Sequence, residues 1–128
     1  MNKIRELHTQ AMDLAEQAAI KKLRGDRTGG EEILRQALEL ETKAAEMVAD
    51  NLEAEPTRSV LHRSAATLAI ECGELQIAEK LIAIALAGVP PLDIAEELKD
   101  LFIQINLRKY LERRGVQLAE EQLQLLAC

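Results

Sequence analysis

Two histidines, two cysteines and a few adjacent carboxylates are the residues whose chemistry could be put to work in this chain. A di-metal site on helices needs inward glutamates carrying a Glu-x-x-His step. The residues three before His8 and His62 are Arg5 and Ser59, so neither histidine completes that step. His8 has Met12 four positions on rather than an acid, and reads as a surface residue. His62 lies beside Arg63 and close to Arg58, and reads either as a packing residue or as a partner contact. Glu31-Glu32 and Glu96-Glu97 pair carboxylates, but both fall in the first turns of expected helices, where the helix dipole explains them without catalysis. Gly25 to Gly30 is glycine-rich, yet it lacks the preceding strand and the lysine of a phosphate loop. Cys72 and Cys128 show neither metal-ligand spacing nor a CxxC pair. No serine sits in a nucleophile elbow. The expectation is a chain with no enzymatic activity, no cofactor and no metal.

The totals narrow the class. The 128 residues are enough for one domain with a real core. Of the 48% apolar residues only one is Phe, one Tyr and none Trp, so that core must be aliphatic. A chain rich in Ala, Leu, Glu, Gln, Lys and Arg is biased to helix throughout. Sixteen Lys and Arg against 22 Asp and Glu give a net charge of −6, which argues against binding phosphate backbones. Residues 31–56 hold eight acids and two bases. They read as one solvated helix face, or as an acidic surface for a basic partner. Two unpaired cysteines suit a reducing, cytoplasmic setting. The charged start, MNKIRELHTQ, lacks the apolar core of a secretory signal, and no apolar run reaches the roughly 20 residues of a membrane span. Neither a nucleic-acid nor a membrane partner is expected.

Apolar periodicity places the elements that would position any site. Ile4, Leu7, Ala11, Leu14, Ala18 and Leu23 recur at three- and four-residue steps, predicting a helix from Lys3 to about Arg24. Gly25 stops it. Thr28 and Glu31 suggest a capping box, and a second helix runs from about Gly30 to Leu52 with Met47 on its apolar face. Pro56 breaks it. A third spans about Arg58 to Cys72 and ends at Gly73. The fourth, Leu75 to Ala87, is apolar nearly all round and is expected to be the central helix. Pro90-Pro91 opens a fifth, with Ile94, Leu98, Leu101, Phe102 and Ile105 as its buried stripe, closed by Gly115. In the tail, 116–128, Leu118, Gln122, Leu123 and Leu126 allow a short amphipathic helix, while Gln122 to Leu125 alternates as a strand would.

Two hairpins share a turn, Leu23-Arg24-Gly25-Asp26 and Glu71-Cys72-Gly73-Glu74, and Ala-Leu follows twelve residues after each glycine. Hairpins that recur this way must stack to bury their outer faces. Here the chain resembles the tetratricopeptide-repeat family. The second hairpin carries the likeness through Ala66, Gly73-Glu74, Ala78, Ala85-Leu86 and Pro90, and the first through Ala18, Gly25-Asp26 and Ala37-Leu38-Glu39-Leu40-Glu41. Family aromatics are missing, Gly30 and Thr42 replace the usual Ala and Pro, and the glycines stand 48 apart rather than about 34. The likeness is to a divergent member and covers about residues 2–107.

That resemblance implies an all-α domain, residues 1–115, of about five helices: TPR-like antiparallel hairpins with a C-terminal capping helix. It also implies an adaptor or scaffold whose first helices line a groove for a peptide or helix of a partner protein. Met12, Ala15, Glu16, Ala19 and Lys22 would face the groove from the first hairpin. Val60, Arg63, Ser64, Thr67 and Glu71 would face it from the second, with His62 beside them and Arg63 matched to an acidic group. The competing expectation is a homodimerising module without a separate ligand. On that reading residues 116–128 form a dimer contact or begin a further element.

Overall fold

A computed structural model describes residues 2–115. It contains five helices: α1 (Asn2–Leu23), α2 (Arg27–Val48), α3 (Thr57–Glu71), α4 (Leu75–Leu86) and α5 (Leu92–Arg113). No strand occurs among the described residues. The tail reading and the C-terminal segment, 116–128, lie outside them.

Local chemistry sets the boundaries. α1 and α3 both end at a glycine in the left-handed region, Gly25 at φ 89° and Gly73 at φ 77°, where a Cβ would be strained. The expected Thr28 cap does not form. Asp26 caps α2 instead, accepting from the Gly29 N–H at 3.0 Å, so the helix starts earlier, at Arg27. α2 also stops earlier, at Val48, and leaves Leu52 exposed. Glu55 closes the first turn of α3 by accepting from both the N–H and the hydroxyl of Ser59, at 2.9 and 2.8 Å.

α1 and α2 lie antiparallel. Near the turn Gly30 packs on Ala18, where an added Cβ would stand 3.0 Å from the Ala18 carbonyl. At the far end His8 reaches Glu41. α3 packs on α2 and α4, and α5 packs on α3 and α4.

The helix at the centre is α3, not α4. Leu68 and Ala69 of α3 join the core cluster with Ala18, Leu34 and Ala78. Its Ala65 and Ala66 join the cluster with Ile82, Ile94 and Leu98. Its Leu61 joins Ile4, Leu7 and Val48. Alanines on several sides let three neighbours approach closely, which a helix of long side chains would prevent. α4 is apolar nearly all round, yet Leu75 and Ile77 are exposed. Leu23, Met47 and Phe102 are exposed as well, against their expected inward places. Each sits at a helix end or a margin of its stripe, where the 3.6-residue period has drifted off the contact face.

Candidate functional site

Val60, Arg63, Ser64, Thr67 and Glu71, expected at a groove, follow one another along one half-buried to exposed face of α3. Lys22 is exposed, its stem lying along Gly30. Thr67 is exposed but spends its hydroxyl on the Arg63 carbonyl at 3.0 Å. Glu71 is exposed and Ser64 half-buried. Arg63 is already matched within the chain: its Nη1 donates to Glu97 of α5 at 2.8 Å. His62 is no surface contact at all. It is 1% exposed, and its Nδ1–H donates to the Arg58 carbonyl at 2.7 Å. Of the two readings open for His62, burial selects the packing one. That burial pushes the imidazole below its ordinary value near 6.5, with the neighbouring Arg58 charge acting the same way.

Val60 does meet an open surface, in different company. Between α1 and α3 lies a cleft of about 280 Å³, lined by Ile4, Arg5 and His8 from one helix and Thr57, Val60 and Leu61, with the preceding Pro56, from the other. Four of the seven are apolar, and Arg5 and His8 bring cationic capacity to one side. His8 is held by a buried group rather than sitting free on the surface. Glu41 of α2 is 0% exposed, and the His8 Nδ1–H lies 2.8 and 3.0 Å from its two oxygens. A carboxylate taken out of water needs such a partner, because its desolvation is otherwise uncompensated. The histidine therefore cannot swing away from the cleft without stranding Glu41.

A second buried polar group ties α3 to the ends of α2 and α4. Arg58 of α3 is 3% exposed. Its Nε donates to the Ala49 carbonyl at 2.8 Å, at the end of α2, and its Nη2 to the Ile84 carbonyl at 2.8 Å, in the last turn of α4. Nη1 lies 3.4 Å from the Ala85 carbonyl and 3.9 Å from Glu55. Helix C-termini carry partial negative charge and unsatisfied carbonyls, so one guanidinium serves both ends. Gly88 makes room for it, since a Cβ there would collide with the Arg58 Nη1.

Burial raises the Cys72 thiol above its ordinary value, the direction that keeps a cysteine protonated and slow to react. Among the described residues, no group of three His, Cys, Asp or Glu side chains could hold a metal ion. No helix among the described residues is long and apolar enough to cross a membrane. The Glu41–His8 and Arg58 arrangements carried no sequence signal beyond an inward-facing charge at helical spacing. Their partners lie 33 and 26 residues away in the chain.

No family model, no curated protein and no solved structure matches the chain.

Proposed function

We propose that the chain is a tetratricopeptide-like adaptor that holds a short extended segment of a partner protein in the α1–α3 cleft. The observation that carries this reading is the cleft itself: an apolar floor of Ile4, Val60 and Leu61 beside Arg5 and a carboxylate-anchored His8. The repeated glycine-ended hairpins support it, because stacking them sets first helices side by side with a trough between. The occupant this lining suits is a peptide with one aliphatic side chain next to a carboxylate, the first for the floor and the second for Arg5 and His8. On this reading the activity is binding, not catalysis. The net charge of −6 disfavours nucleic acid as the occupant.

Fluorescence anisotropy against a library of short labelled peptides tests it. Peptides pairing Leu or Ile with Asp or Glu are the expected binders. Arg5→Glu and Val60→Asp are expected to weaken them at least tenfold while Arg24→Glu, away from the cleft, does not. Selection of peptides without acids, or binding indifferent to both cleft variants, would refute the proposal.

A homodimer is the second reading, favoured by one observation. An apolar depression of about 300 Å³ between α4 and α5 is lined by Ile82, Ala83, Leu86, Lys99, Phe102 and Ile103, and the last two are 42% and 45% exposed. Light scattering over a hundredfold dilution separates the readings, with Phe102→Glu expected to dissociate any dimer built on that face.

A further inference from the structure

Glu41 backs His8 from α2, and this fixes which part of the imidazole the α1–α3 cleft meets. Glu41 is 0% exposed. The His8 Nδ1 lies 2.8 and 3.0 Å from its two oxygens. A carboxylate accepts and cannot donate, so Nδ1 carries a hydrogen whatever the charge on the ring. The second nitrogen, Nε2, is thereby left for the cleft, on a side chain that is 37% exposed.

What Nε2 offers depends on one proton. A deprotonated ring presents a lone pair, an acceptor facing any ligand carboxylate that is itself only an acceptor. A protonated ring presents an N–H and a positive charge, a partner for the same carboxylate. Glu41 anchors the ring in both states. Histidine is also the side chain that ordinarily changes charge between pH 5 and 8.

The other groups around His8 do not compete for this role. Arg5, three residues earlier on α1, lines the same cleft and stays cationic. From α3 come Thr57, Val60 and Leu61, with Pro56 before them, and none of these ionises. Glu55, next to Pro56, has both oxygens on Ser59. On α2 the buried neighbours of Glu41, namely Ala37, Leu38, Ala44 and Ala45, are apolar. His62 is 1% exposed, is bonded to the Arg58 carbonyl and does not line the cleft.

We propose that His8 couples the cleft to protons: a peptide carboxylate and a proton on the His8 Nε2 are taken up together. The inference rests on the reading of the cleft as a peptide site and adds a rule of specificity to it. An acidic peptide binds more tightly as pH falls, and a neutral isostere binds without regard to pH. The proton comes from solvent and returns there on release.

Two labelled peptides with the same neutral flanks, one carrying Leu-Asp and the other Leu-Asn, test the coupling by fluorescence anisotropy on the full chain at pH 6 and pH 8. An aspartate ordinarily titrates near 3.9, so the ligand keeps its charge throughout and any change belongs to the protein. The Leu-Asp peptide is expected to bind about tenfold more tightly at pH 6, and the Leu-Asn peptide to change less than about twofold. His8→Gln combined with Glu41→Gln leaves no charge buried, and this double variant should bind Leu-Asp more weakly and equally at both pH values. Calorimetry in two buffers of different ionisation enthalpy should show net proton uptake with Leu-Asp and none with Leu-Asn. Leu-Asp binding that Val60→Asp abolishes, but that is equal at pH 6 and pH 8, overturns the proposal and leaves the peptide site standing. A pH dependence that survives in the double variant also overturns it. If neither peptide binds at either pH, the peptide site and the coupling fall together.

Discussion

Replacing Arg58 with Met isolates the contribution of one buried guanidinium. Methionine keeps much of the stem's length and apolar volume and removes every donor. The Ala49 and Ile84 carbonyls each lose a charged hydrogen bond of 2.8 Å, and the Ala85 carbonyl loses a longer contact of 3.4 Å. A hydrogen bond to a charged group is worth about 1.5–3 kcal/mol in mutational series, so the two short bonds together amount to about 3–6 kcal/mol. Breaking a buried ionic arrangement from one side gives an overlapping range, about 3–5 kcal/mol. Native domains are stable by only about 5–15 kcal/mol, so the variant should lose a fifth or more of the total. Urea unfolding followed by far-ultraviolet circular dichroism measures it, with an unchanged m-value confirming that the unfolded state is the same. Arg58→Lys should recover less than half, because one ammonium cannot span the ends of two helices. Arg35→Met is the control. Its partner Glu74 lies 3.1 Å away, but both side chains are solvated, and the urea midpoint should barely move. An Arg58→Met variant within 1 kcal/mol of the unaltered protein would refute the reasoning.

Three further substitutions probe other parts of the fold. His8→Ala strands the Glu41 carboxylate and should cost about 2–3 kcal/mol in urea unfolding; adding Glu41→Met should restore most of it, and a double variant no better than the single would count against the pairing. Because burial holds the His62 imidazole below 6.5, the unfolded chain binds the extra proton first. Stability should therefore be fully present above about pH 6.5 and be lost as pH falls from there toward the depressed folded value. His62→Gln should flatten that part of the urea-midpoint profile, and equal slopes in both proteins would sink the attribution. Gly73→Ala meets nothing within 4 Å, so its expected cost of about 1 kcal/mol, read from the shift in Tm, is purely conformational. A neutral or stabilising result would contradict the left-handed turn.

The helices and their turns were legible because period, glycine and proline are local signals. Ile4, Leu7 and Ala11 step along one face of α1, and all three are buried. Gly25, Gly73 and Gly115 stop the helices they were expected to stop. The start of α2 was misread because Thr28 with Glu31 and Asp26 alone are both sound caps, and only the position of the Gly29 N–H decides between them. The depth of α4 was misread because apolarity records what a helix can bury, whereas the small residues of α3 decide where neighbours can come close. The cleft was only partly legible. Val60 was placed, but Ile4, Arg5 and His8 lie on a helix about 50 residues earlier, and their approach depends on how α2 sets α1 against α3. Glu41 was read as part of a repeat phrase, since nothing near it in the chain marks a buried acid.

The reach of Arg58 bears on how the molecule comes apart. Stacked hairpins whose neighbours touch only through their interfaces can open one unit at a time from an end. Here a side chain of the second hairpin holds the last carbonyls of α2 in the first, and those of α4 in its own. Opening the α1–α2 pair releases Arg58 from Ala49, and opening α4 releases it from Ile84, so either event weakens the other hairpin at once. The two units are thereby tied into a single cooperative transition. Amide exchange in the cores of α2, α3 and α4 should report one common opening free energy, and Arg58→Met should split it into two.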